Sequence, residues 1–368
     1  MTTRLDAPPQ PRLGWDQRAS LAKTLGFVAF LHVLGWGLLV GVAGPHQYDV
    51  GGKVLGIGLG LTAYTLGMRH AFDADHIAAI DNTTRKLMAD GQRPMSVGFW
   101  FSLGHSSVVL VMVLAVALGV RALARGIGDE GSTLQHVAGI WGTAVSGTFL
   151  LLIGLINLAS LKGILGVLRE LRQGRYDDAA LEHQLDSRGF LNRILGKVTR
   201  MVSKPWHMYP TGFLFGLGFD TVSEIGLLVI AGGAVASNVP WWAVLTLPVL
   251  FAAGMSLLDT LDGAFMNVAY GWALARPVRK IYYNIIVTAL SVAVALLIGS
   301  VELVGLLAAK LGIDTGPLGA IAALDLENVG YAVVLLFLIT WGVSVAVWKL
   351  GRIDERWSSA PHQPDSRH

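Results

Sequence analysis

Apolar residues dominate eight stretches of the chain, at about 24–43, 54–82, 96–120, 136–161, 207–236, 241–272, 281–308 and 329–349. About 20 helical residues cross the hydrocarbon core of a bilayer. A helix satisfies its own backbone hydrogen bonds there, which an open strand does not. The pattern therefore predicts an all-α polytopic membrane protein with eight transmembrane helices. The second, fifth and sixth stretches carry acidic residues or histidines mid-segment, yet their flanks stay apolar and they are retained as spans.

The polar intervals orient these spans. Lys and Arg number 28 in the chain. Four lie before the first stretch, three after the second, nine after the fourth, three after the sixth and four from Lys349, at the end of the last stretch, onward. The alternate intervals hold only Lys53, Arg121, Arg125 and Lys310, while Arg69 falls within a span. Basic residues accumulate on the cytoplasmic side, so both termini are expected in the cytoplasm. The organisation that follows is a cytoplasmic tail over 1–23 and a single transmembrane transporter domain over 24–350. A solvated linker at about 169–204 separates two groups of four helices, and a second cytoplasmic tail covers 351–368.

Composition narrows the chemistry. The chain is 53% hydrophobic and 14% charged, against about 25% charged in soluble domains. Its 45 glycines suit close packing of membrane helices. With no cysteine there is no thiolate site, which argues against a Cu(I) carrier. The first 23 residues lack the short apolar core and cleavage site of a signal peptide, so the first span is expected to act as an uncleaved insertion signal. Neither charge nor motif points to nucleic acid, and the surrounding partner is the lipid bilayer. The oligomeric state is not legible.

The candidate site lies in the second stretch, His70-Ala-Phe-Asp73-Ala-Asp75-His76. An ionised group at the bilayer centre costs about 2.5 kcal/mol or more, so such groups mark ion paths, proton relays or mutual pairs. Imidazole with carboxylate suits borderline divalent metals. At about 100° per residue, His70, Asp73 and His76 share one broad helix face and Asp75 does not. Either the helix breaks near Ala71 to Ala74, or Asp75 orients a His from another helix. Asp81 returns to the face of His70 one level deeper. His105, beside Gly104 in the third stretch, is a further candidate ligand. Two acidic pairs, Asp220 with Glu224 in the fifth stretch and Asp259 with Asp262 in the sixth, each share a helix face and are candidate pathway residues. A helix-packing network is the other reading of each pair.

These residues resemble the nickel/cobalt transporter family, of the high-affinity nickel permease type. The His, four residues, then Asp75-His76 is similar to the family signature. Leu103-Gly-His-Ser106, Leu217-Gly-Phe-Asp-Thr221 with Glu224, and Gly254-Met-Ser-Leu-Leu-Asp-Thr-Leu-Asp-Gly263 followed by Met266 and Ala269-Tyr270 resemble its other blocks, in order, over roughly residues 20–350. The resemblance implies an eight-helix secondary permease of the bacterial cytoplasmic (inner) membrane that imports Ni²⁺, Co²⁺ or both. It implies metal recognition at His70, Asp73, Asp75 and His76, with Asp81 nearby. The metal is then the transported substrate, with no prosthetic group.

Three other classes stay open: a metal exporter of related architecture, a Zn or Mn carrier, and a membrane metalloenzyme. The 169–204 interval has His183 as its single His, unlike the His-rich loops of exporters. There is no His-Glu-x-x-His box and no phosphate-cradling Gly-x-x-x-x-Gly-Lys sequence, so a non-enzymatic transporter that does not itself hydrolyse ATP is the favoured reading. A loose likeness between Leu66-Gly-Met and Leu217-Gly-Phe hints at an internal repeat.

Overall fold

The fold is a computed structural model that describes residues 14–50, 52–118, 133–172, 202–218, 233, 239–273, 277–313, 315–324, 326 and 329–350. Eleven α-helices are found among them. These are α1 (Trp15–Leu38), α2 (Ile57–His70), α3 (Ala74–Ala89), α4 (Val97–Ala117) and α5 (Thr133–Arg172). They continue with α6 (Met208–Gly216), α7 (Trp241–Val244), α8 (Thr246–Ala273), α9 (Pro277–Leu311), α10 (Gly316–Ala322) and α11 (Val329–Leu350). A two-residue antiparallel pairing of Asp49–Val50 with Lys53–Val54 closes the turn between α1 and α2.

Among the described residues, five helical stretches are long and apolar enough to cross a membrane: Trp15–His46, Val97–Ala117, His136–Gly163, Trp241–Tyr270 and Thr288–Leu311. A shorter apolar stretch follows at Val329–Val343. The chain is therefore a multi-pass membrane protein of the all-α class. The first helix begins at Trp15, ahead of the apolar run. Helix α5 reaches Arg172, so the expected linker starts out helical. Residues 173–201 of that linker lie outside the described residues, as does the fifth expected span beyond Gly218 apart from Gly233.

The second expected span departs from a continuous helix. It is divided into α2 and α3, and residues 71–73 turn between them. The amides of Phe72 and Asp73 bond three residues back, to Arg69 O and His70 O at 2.9 Å each, and Asp73 then swings to an extended backbone at φ −64°, ψ 142°. The turn is buried at Ala71, Asp73 and Ala74. Every residue of α3 from Ala74 to Met88 except Asp75 is buried, polar ones included. Arg85 and Lys86, expected in a loop, belong to this buried helix.

Packing explains how α3 is enclosed. Helices α2 and α8 meet through glycines: a Cβ on Gly67 would overlap the backbone of Phe251, and one on Gly254 would come within 2.5 Å of Tyr64 O. Helix α4 lies against α8 and α6, α5 against α9, and α3 against α5, α8 and α9. Two apolar clusters result. One gathers Leu39, Leu59, Leu250, Phe251 and Met255, and the other Ile77, Ile80, Phe101, Met208 and Phe215. The break in the helix falls where the two meet.

Candidate metal centre

Asp73 sits at the N-cap of α3. An N-cap Asp usually bonds an amide of the first helical turn, but Asp73 makes no such cap bond. Its Oδ2 instead accepts from His70 Nδ1 at 2.7 Å. Asp75 in the first turn accepts the amide of His76 at 2.9 Å. The dipoles agree with this placement. Carboxylates are favoured at the N-terminus of α3, and the C-terminal end of α2, which carries His70, favours a cation.

The break turns His76 back toward His70, and α4 adds His105. One ring nitrogen from each of the three lies within 4.8 Å of the others, and all three residues are buried. Ring centroids stand 4.5 Å apart for His70 and His76, 4.6 Å for His70 and His105, and 5.0 Å for His76 and His105. His70 Nε2 and His105 Nε2 approach to 2.9 Å. Asp259 of α8 reaches His76 Nδ1 with Oδ2 at 3.3 Å. Carboxylates that hold Nδ1–H in this way fix the tautomer and leave Nε2 with a lone pair. His76 Nε2 is shut from solvent and has no hydrogen-bond partner. Phe101 lies edge-on to His76 at 4.7 Å and Phe251 lies 5.8 Å from His70, so the imidazoles are walled by rings from both apolar clusters.

The structure thus brings together His70, His76, His105, Asp73 and Asp259. Asp75 stays at the edge of the group, bonded to backbone. Asp81 and Asp262 lie a level deeper: Tyr270 donates to Asp81 Oδ1, and Asp262 is within electrostatic reach of Asp81 and Asp259. Asp220 and Glu224 lie outside the described residues. Sequence reasoning passed over Glu302 of α9, which is within electrostatic reach of Asp75 and beside Ser146. The signal was available, since Glu302 is a lone acid within the seventh apolar stretch. It also passed over Tyr270 as a partner of Asp81, which no spacing rule reveals.

A buried cage of imidazoles braced by carboxylates lies at a break between two helices of a multi-pass membrane protein, and its donor set fits a borderline divalent metal. The chain belongs to the NicO family, described as "High-affinity nickel-transport protein", which it matches over residues 56–347. It is 58% identical over 334 residues to the nickel transporter NicT of Mycobacterium tuberculosis, covering 91% of this chain and 90% of that protein. It is 47% identical to the nickel transporter NixA of Staphylococcus aureus, over 93% of this chain and 98% of that one. It is 42% identical to the cobalt transport protein NhlF of Rhodococcus rhodochrous, over 88% and 91% respectively. No solved structure matches the chain. The family and these relatives are transporters rather than enzymes.

Proposed function

We propose that the protein is a secondary transporter that imports Ni²⁺, Co²⁺ or both across the bacterial cytoplasmic membrane, and that His70, His76 and His105 bind the cation in transit. The observation that carries this reading is the buried triad, with His70 and His76 each held through Nδ1 by a carboxylate. Two nitrogens bound at right angles to one ion, each about 2.0–2.1 Å from it, stand about 2.9 Å apart. The 2.9 Å between His70 Nε2 and His105 Nε2 fits that arrangement, and tetragonal N,O coordination suits Ni²⁺. Asp73 and Asp259 orient the rings and offset part of the dication's charge. Asp75 at the rim receives the cation as it sheds water, and Asp81, Asp262, Asp220 and Glu224 continue the path.

The finer architecture belongs to the same reading: eight spans, with α2 and α3 together making the second, and both termini cytoplasmic. An inside-negative potential favours inward movement by about 2.3 kcal/mol per charge per 100 mV. A dication gains twice that, so uptake needs no ATP.

The test is uptake of radioactive Ni²⁺ and Co²⁺ by cells expressing the chain, with Zn²⁺ and Mn²⁺ as competitors. His70→Ala and His76→Ala are expected to abolish uptake at equal membrane level. Wild-type uptake in either variant would sink the site, and competition by Zn²⁺ or Mn²⁺ equal to that by Ni²⁺ would favour the broader divalent carrier.

A further inference from the structure

The two carboxylates that brace the cage are placed by different means. Asp73 stands three residues from His70 on the same stretch of backbone, and local geometry brings its Oδ2 to 2.7 Å. Asp259 comes from another helix, and its Oδ2 meets His76 Nδ1 at 3.3 Å. That lies just beyond the usual range of about 2.7–3.2 Å, and at about 3.6 Å no bond remains. The other oxygen, Oδ1, is buried without a hydrogen-bond partner among the described residues. No second bond there fixes the carboxylate, so the backbone of α8 at Asp259 decides whether His76 is held.

Gly98 of α4 lies against that backbone. A Cβ at Gly98 would overlap the carbonyl of Asp259 and come within 3.3 Å of Thr260 N. One turn further along α8, a Cβ on Gly263 would stand 3.0 Å from Gly98 N and 3.5 Å from Ile80 Cγ2. The same stretch of α8 therefore touches α4 on one side and α3, one turn past His76, on the other. A second contact fixes the register. Ser102 lies four residues beyond Gly98 and Ser256 three before Asp259. Their Oγ atoms meet at 3.1 Å, and both residues are buried. The two contacts form an antiparallel ladder between α4 and α8. Because α4 also carries His105, the ladder keys one imidazole of the cage to the carboxylate that braces another.

We propose that Gly98 is a positioning residue for metal binding, which holds Asp259 against His76 Nδ1, and that the Ser102–Ser256 bond keeps this contact in register. The proposal rests on the reading of the imidazole cage as the cation site. Gly98 and the two serines act through Asp259. Carbon atoms in contact stand about 3.5–4.0 Å apart, so a methyl at Gly98 displaces α8 from α4 and carries the carboxylate off the ring. His76 then loses the partner that keeps its proton on Nδ1 and its lone pair on Nε2.

The test is Ni²⁺ equilibrium dialysis on the full chain purified in detergent, run as a double-mutant cycle with Asp259→Asn. Gly98→Ala should weaken binding about 10–100-fold, as loss of an orienting partner does. In the Asp259→Asn background the same substitution should weaken it no further, because it acts through a carboxylate already lost. With Co²⁺ at saturation, the d–d absorption of Gly98→Ala should take the form seen in Asp259→Asn, whereas a loss of packing alone would leave the wild-type band. If Gly98→Ala does not fold, Ser102→Ala and Ser256→Ala decide. Each removes the same bond, so each should weaken binding about threefold to tenfold, the pair together no more than either, and neither one further in Asp259→Asn. Wild-type affinity in Gly98→Ala or in the serine variants, losses that sum with that of Asp259→Asn, or a wild-type Co²⁺ band in Gly98→Ala would overturn the positioning role. Absence of Ni²⁺ binding by the wild type, or undiminished binding by His76→Ala, would instead overturn the cage on which it rests.

Discussion

At the residue scale the carboxylates divide by what they hold. Asp73 reaches back three residues to His70, while Asp259 reaches across from another helix to His76. Removing such an orienting partner typically lowers metal affinity about 10–100-fold. Asp259→Asn keeps the shape and one oxygen but loses the charge. It is expected to weaken Ni²⁺ binding within that range and to slow uptake per folded molecule. If the residue serves packing alone, Asp259→Asn will lower the amount of folded protein and leave uptake per molecule unchanged. Asn82 and Asn157 work at the same scale without charge. Asn157 Nδ2 donates to Asn82 Oδ1 at 2.8 Å, and Asn82 Nδ2 donates to Ala78 O at 2.9 Å and Ser291 O at 3.3 Å. These bonds pin α3 to α5 and α9, and with Asp259 of α8 on His76 the rotation of α3 is set from three helices.

At the scale of elements, glycine decides how near the helices come. Gly67 is buried against the backbone of Phe251, whereas Gly37 is exposed with nothing near its missing Cβ. Gly67→Ala should lower thermal stability in detergent by an amount typical of overpacking, about 1–3 kcal/mol. Gly37→Ala should be neutral or slightly stabilising, since Ala favours helix. Equal melting temperatures for the two variants would show that α2 and α8 are not in close contact. Hydrophobic runs made the long helices legible, because a span writes its length directly into composition. The break was legible as an alternative: a regular helix could not aim His70, Asp73, Asp75 and His76 at one point. The convergence of Asp259 on His76 was not legible, since no local pattern fixes the relative rotation of α3 and α8. Arg85 was misplaced for a related reason. Polar residues after an apolar run read as a loop, yet α3 buries them against α9, where Thr288 and Ser291 supply partners.

At the scale of the molecule, basic residues gather in alternate intervals, which sets the orientation to be tested. Reporters fused after residue 90, within 169–204 and at the C-terminus should read cytoplasmic, and those near 128 and 316 external. One reversed reporter would change the span count. The cage lies where the two apolar clusters meet, with Phe251 from one and Phe101 from the other against its rings. A relative shift of the two clusters therefore alters the cage first.

The divided helix also bears on how the chain is made. Helices of 14 and 16 residues measure about 21 and 24 Å at 1.5 Å per residue, short of the roughly 30 Å hydrocarbon layer. Neither half, and least of all the polar α3, can be released into lipid as it is synthesised. It has to wait in shelter until α8, beginning at Thr246, and α9 emerge and supply its walls. Nascent chains arrested before Thr246 should accordingly crosslink through α3 to the insertion machinery and not to lipid. Assembly of this protein ends, in that sense, with its own interior.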